Sequence, residues 1–228
     1  MAVGDRWVGR VMEKPRSERS AKRVRAYVGG AQVLDTTRAW LVWERPWAPV
    51  YWYPPDDVAP DQLVKARPAG AVDGAPEGHV SFEWDDVDAW FEEDEELVAH
   101  VRDPYHRVDI LASSRHVVVE VDGVEVASST HAHALFETGL PARWYLPKVD
   151  VRMDLLEPSP TRSYCPYKGE ATYWSVRVGD RRHEDLVWTY RAPLPESQKI
   201  AGKVAFYDER VDVTIDGVRQ ERPRTKFA

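Results

Sequence analysis

The chain has 228 residues, of which 43% are hydrophobic and 30% charged, with a formal net charge of −7. That balance excludes a disordered chain, the length suits one large domain or two modules, and the acidic excess argues against general affinity for nucleic acid, which needs a basic footprint. Cys165 is the single cysteine, which excludes an intrachain disulfide or a multi-cysteine zinc site and fits a reducing compartment.

Residues 1–22 form an expected N-terminal extension rich in Arg and Lys, among them Arg6, Arg10, Lys14, Arg16, Arg19 and Lys22. Its charges leave no apolar core for a secretion signal. No later run is long enough to span a bilayer, so the expectation is a cytoplasmic protein without membrane contact. From Gly30 onward the chain can be laid on itself, Gly30 on Gly123, and stays in step without a gap to Val58 on Val151. Along that register Thr37 meets Thr130, Glu44 meets Glu137, Pro54 meets Pro147 and Asp57 meets Asp150, while Trp43 meets Phe136 and Tyr51 meets Trp144. Two diverged copies of one module follow, expected over residues 23–112 and 113–220, with a basic tail at 221–228.

In chain order, Gly29-Gly30 reads as a hairpin turn, residues 39–44 as a strand, and Trp40, Trp43, Trp47, Tyr51, Trp52 and Tyr53 as an aromatic stripe, either core or cleft wall. Pro60, Pro68, Gly70, Gly74, Pro76 and Gly78 make the next stretch loop-like, and the acidic run over 83–96 reads as a solvated face. Arg107-Val108-Asp109-Ile110 resembles Arg210-Val211-Asp212-Val213, which suggests that a strand closes each module and puts the boundary near Ser113-Ser114. In the second copy, valines at 117, 119 and 121 alternate up to Asp122-Gly123, a two-residue turn that suits positive φ. Further strands are expected at 132–137, 143–145, 171–178, 186–190, 203–206 and 211–215. Helix is confined to single turns at 149–156 and 196–201, the latter stopped by Gly202.

The blocks Arg143-Trp144-Tyr145-Leu146-Pro147, Ser163-Tyr164-Cys165-Pro166-Tyr167-Lys168-Gly169 and Ala171-Thr172-Tyr173-Trp174-Ser175 are joined by Gly202-Lys203-Val204-Ala205-Phe206-Tyr207. Together they resemble a bacterial family known as domain of unknown function 427, and the residues from Arg23 to Gly30 resemble the opening of its tandem members. The resemblance implies a mostly β fold, two tandem β-tent-like modules of small antiparallel sheets with a few short helical turns. That shape is related to folds that carry structural zinc, whose cysteines are absent here. The family's nucleotidyltransferase label implies nucleotidyl transfer, but the sequence has no Gly-rich phosphate loop and no paired carboxylates set to hold catalytic metal.

The stretch from Cys165 to Gly169 carries the most chemistry, because Pro166 holds Cys165 extended and Gly169 permits a sharp exit, presenting Tyr167 and Lys168 on a rigid loop. Lys168, desolvated beneath Tyr173 or Trp174, would serve as base or amine nucleophile, and Cys165 beside Arg143 or Lys168 would be a reactive thiolate. The plainer alternative for Cys165 is a buried thiol filling space. Glu137, Arg143, Tyr145, Tyr167, Tyr173 and Trp174 are the expected ligand-binding set. His131 and His133 share a strand face but lack a third ligand, so no metal site is assigned and no cofactor is implied. The expectation is a small-molecule-binding protein, with an enzyme as one form of it, whose pocket lies in the second copy. The rival is a non-catalytic interaction or structural module. The ligand and the choice between monomer and homodimer stay open.

Overall fold

The computed structural model describes residues 16–45 and 48–225. Trp47, the basic residues Arg6, Arg10 and Lys14, and Lys226 lie outside them. The chain is mostly β and divides into two compact units between Tyr105 and His106. The first unit contains β1 (Ser17–Arg19), β2 (Val24–Val28), β3 (Ala31–Thr36), β4 (Trp40–Arg45), β5 (Ala48–Trp52), β6 (Arg67–Pro68), β7 (Val80–Ser81), β8 (Ala89–Glu92) and β9 (Glu95–Glu96). The second contains β10 (Val108–Ala112), β11 (Val117–Val121), β12 (Val124–Ser129), β13 (His133–Glu137), β14 (Arg143–Tyr145), β15 (Leu156–Cys165), β16 (Gly169–Val178), β17 (Arg181–Tyr190), β18 (Val204–Phe206), β19 (Asp212–Ile215) and β20 (Val218–Arg219).

The two units repeat one topology. Sheet orders β3-β2-β8-β9 and β1-β4-β5 in the first recur as β12-β11-β19-β20 and β10-β13-β14 in the second. The register agrees to the residue, for Ser17 pairs Val42 as Ile110 pairs Leu135, and both hairpins carry an irregularity at matching places, Ala26/Tyr27 and Val119/Glu120. β10 therefore opens the second unit as β1 opens the first. The expected boundary near Ser113 lies too late, because the 108–112 strand pairs with β13 rather than closing the earlier module.

The β11–β12 hairpin forms because Asp122 and Gly123 adopt φ of 50° and 78°, the left-handed pair a type I′ turn requires. Its alternation buries Val117, Val119 and Val121, each contributing about 1.5–2 kcal/mol. The expected helices are single 3₁₀ turns, at Lys148–Asp150, Met153–Leu155 and Pro195–Ile200. What the second unit adds is the meander β15-β16-β17, which with β18 makes a four-stranded sheet. Among the described residues of the first unit, only β6 and β7 stand at that place, as a two-stranded ribbon.

In the first unit Trp43, Tyr51 and Tyr53 are core, clustered with Val24, Leu41 and Trp90, and Trp52 is buried beside them in sequence. Among the described residues the aromatic stripe is thus mainly packing. The acidic side chains of the 83–96 run are exposed, apart from Glu92, whose carboxylate accepts the Tyr51 hydroxyl at 2.8 Å.

Candidate functional site

Two consecutive hydrogen-bonded strands set the floor of the site. Leu135 pairs with Arg143 and His133 with Tyr145 across β13 and β14, so by the two-residue period of a strand His133, Leu135, Glu137, Arg143 and Tyr145 share one face. That face packs on a ring-rich cluster with Tyr173, Trp188 and Tyr190 from β16 and β17. The buried Tyr145 hydroxyl accepts the Trp188 indole N–H at 3.1 Å, and burial pushes the phenols of Tyr145 and Tyr190 well above their ordinary range. Tyr173 closes the cluster through a 2.6 Å hydrogen bond with Ser163.

The turn between β15 and β16 delivers Lys168. Cys165 pairs with Gly169 at the end of the ladder, and Gly169 has φ 90°, a conformation that L side chains resist. The turn is fastened from behind, the Ser197 hydroxyl donating to the Tyr167 carbonyl at 3.0 Å and the Leu194 N–H to the Lys168 carbonyl at 3.2 Å. Lys168 Nζ donates to both Glu137 oxygens, at 2.7 and 2.6 Å, with side chains only 9% and 8% exposed. His106 Nε2 lies 3.0 Å from Glu137 Oε1, and its ring stacks on Tyr167 with centroids 4.1 Å apart. Burial pushes the Glu137 carboxyl up, but the hydrogen bond from His106 and the charge and hydrogen bond of Lys168 outweigh it and leave it below its ordinary range.

Arg143 serves a second polar cluster. Its guanidinium bonds Glu209, lies 3.4 Å from Asp208 Oδ2, and stands 5.8 Å over the Trp188 ring. Burial pushes the Asp208 carboxyl up to about 7, with Glu209 adding to the rise and Arg143 opposing it.

The structure thus joins Lys168, Glu137 and Tyr167, and places Arg143, Tyr145 and Tyr173 around the neighbouring rings. Trp174 is elsewhere. It belongs to a different core cluster, with Lys148 Nζ, not Lys168, 5.0 Å above its ring. Cys165 is half-buried against the ring cluster, while Lys168 and Arg143 are both engaged by carboxylates. His106, Asp208 and Glu209 were not legible as members of the site. Among the described residues no group of three or more His, Cys, Asp or Glu is placed to hold a metal, and no helix is long and apolar enough to cross a membrane.

A family model described as domain of unknown function (DUF427), labelled NTP_transf_9, matches residues 16–73 and 109–217. The chain belongs to this family. The two matched segments fall one in each unit, and the second spans the whole DUF427 meander from β15 to β17 together with Glu137 and Lys168. No curated protein matches the chain.

Proposed function

We propose that this DUF427 protein binds a small polar molecule in its second module, at the turn that carries Tyr167 and Lys168. The observation that supports this reading is the Lys168–Glu137–His106 cluster, three ionisable groups joined at 2.6–3.0 Å beside a stacked His106–Tyr167 ring pair. Burying such charges is a poor way to gain stability, since desolvation offsets the attraction between them. Lys168 has three N–H donors and Glu137 engages it with two oxygens, so an anionic group on a ligand has a donor to claim. The His106–Tyr167 stack offers a planar surface for a ring. Binding fits this geometry better than covalent chemistry, because both strong cations hold carboxylates rather than the Cys165 sulfur.

The test is a melting screen of carboxylates, phosphates and nucleotides against wild type and Lys168→Met. A true ligand at about 100 times its Kd adds ~2.7 kcal/mol to stability. That gain should vanish in Lys168→Met while the variant still melts cooperatively. Equal shifts in both proteins, or no shift from any compound class, would remove the site.

A further inference from the structure

The sheet face that carries Glu137 has a second polar end. His133 opens β13 as Glu137 closes it, so strand periodicity turns both to the same side, with the buried Leu135 between them. Two lysines flank His133. Lys199 is carried by the 3₁₀ turn that packs Ile200 into the ring cluster, and its Nζ donates to the Ile110 carbonyl of β10 at 3.0 Å. β10 is the neighbour of β13, and its Ala112 pairs with His133. Lys203 comes from the opposite side. Leu146 and Val204 exchange backbone hydrogen bonds at 2.8 and 3.0 Å, which sets Lys203 beside the end of β14, the strand whose Tyr145 pairs with His133.

The charge in this cluster has one sign. Lys199 meets only a carbonyl, and among the described residues no carboxylate answers Lys199, Lys203 or His133. Acids are not scarce, since the chain has 38 Asp and Glu against 31 Lys and Arg. Bases gathered without one repel each other, a cost that a bound anion would remove. Burial, then the charges of Lys203 and Lys199, hold the His133 imidazole below its ordinary range, so at neutral pH it is uncharged with one N–H to donate. Its Nδ1 is buried without a hydrogen-bond partner, which leaves Nε2 to meet a ligand. The first module keeps none of this. Trp40 stands at the His133 place, and the lysines follow a meander that the described residues of that module lack.

We propose that His133, Lys199 and Lys203 bind a phosphate group. A phosphate presents three terminal oxygens and close to two negative charges, which suits two ammonium groups and an imidazole N–H. A carboxylate presents two oxygens and a single charge. Inorganic phosphate and the phosphate of a small ester share the required chemistry. The site lies at the opposite end of the face from Lys168 and does not depend on it.

The test follows the His133 imidazole in long-range ¹H–¹⁵N spectra of the full chain, its signal identified by loss in His133→Gln. Inorganic phosphate, glycerol 3-phosphate or acetate is added at constant ionic strength, so that screening does not change. The expected result is a saturable shift with phosphate whose apparent Kd rises at least about tenfold in Lys203→Met and in Lys199→Met. It should be unchanged in Lys168→Met, which separates this site from the Lys168 cluster. Neither lysine is buried, and melting curves in phosphate-free buffer check that each variant is folded. Tighter saturation by the ester would assign the phosphate to a larger ligand, and tighter saturation by inorganic phosphate to the free ion. The proposal is overturned by a shift that never saturates, by an unaltered Kd in both lysine variants, or by acetate binding as tightly as phosphate. A shift lost in Lys168→Met alone would give the anion to the other site.

Discussion

Glu44 and Glu137 hold one place in two copies of the same sheet, at the end of the central strand, yet their surroundings differ in kind. Glu44 accepts the Trp52 indole N–H at 2.8 Å and pairs with Arg67 on the ribbon strand β6, the two side chains being 28% and 30% exposed. Glu137 pairs with Lys168 and His106, with exposures of 8%, 9% and 16%. The carboxylate is common to both modules, and the difference lies in what covers it. In the second copy, the β15–β16 turn brings a cation over the carboxylate and shuts out most of the water. A solvated pair contributes little, whereas a buried one binds its partners into an all-or-none arrangement.

The largest expected effect tests that contrast directly. Lys168→Met should cost about 3–5 kcal/mol in urea unfolding because it strands a buried carboxylate, while Arg67→Met should cost under about 1 kcal/mol. Adding Glu137→Leu to Lys168→Met should restore much of the loss, since removing both charges also removes the desolvation penalty. The Glu137 pKa is lowered in the fold, so its contribution is complete above the ordinary carboxylate range and disappears as pH falls through the lowered value. Equal costs for Lys168→Met and Arg67→Met would show that the difference in burial has no energetic weight.

The same contrast explains how much the sequence could disclose. The β11–β12 hairpin was legible because its turn demands positive φ and its valines alternate. β15 was not, because Pro158 and Pro160 argue against a strand; they are tolerated here since β15 is the edge of its sheet. The equivalence of β1 and β10 as elements was hidden by divergence, for Ser17 and Glu18 share no chemistry with Ile110 and Leu111. That concealment displaced the boundary and assigned His106 to the other module, away from Glu137. Glu137 with Lys168 was legible because the repeat marked the first and the Cys-Pro-Tyr-Lys-Gly block the second. Trp174 could have been excluded from sequence alone, since it follows Tyr173 on a strand and must face the opposite way.

A middle-sized effect concerns Asp208, which lies beside Arg143, the position held by Val50 in the first module. Its carboxyl is pushed up to about 7 in the fold from an ordinary value of 3.8. The folded state therefore holds a proton that the unfolded state releases between these values, and this group's contribution falls as pH rises across that window. Asp208→Asn, which stays neutral, should gain stability relative to wild type by about 2–3 kcal/mol between about pH 5 and about pH 8. Paired thermal melts at the two pH values read this directly. A constant difference would mean that Arg143 keeps Asp208 ionised throughout.

The smallest effect probes what the two copies share. In the first, the buried Thr36 hydroxyl donates to Asp57 at 2.6 Å and accepts the Arg38 N–H at 2.9 Å. In the second, Ser129 donates to Asp150 at 2.6 Å and accepts the His131 N–H at 3.0 Å. Each device fastens a strand end to the 3₁₀ turn that follows the three-stranded sheet, so Thr36→Ala and Ser129→Ala should each cost about 1 kcal/mol. The two should not be identical, because Asp57 also receives the Arg38 guanidinium at 3.1 Å. Thr36→Ala leaves its carboxylate with a charged partner, whereas Ser129→Ala takes the hydroxyl from Asp150 with His131 in place of that arginine. Ser129→Ala should therefore be the costlier by a few tenths of a kcal/mol, and Arg38→His in a Thr36→Ala background should close the gap. If Thr36→Ala proves the more damaging, the shared hydroxyl–carboxylate pair is not the common fastening of the two modules, and their likeness at this point is one of geometry without equivalent energetics.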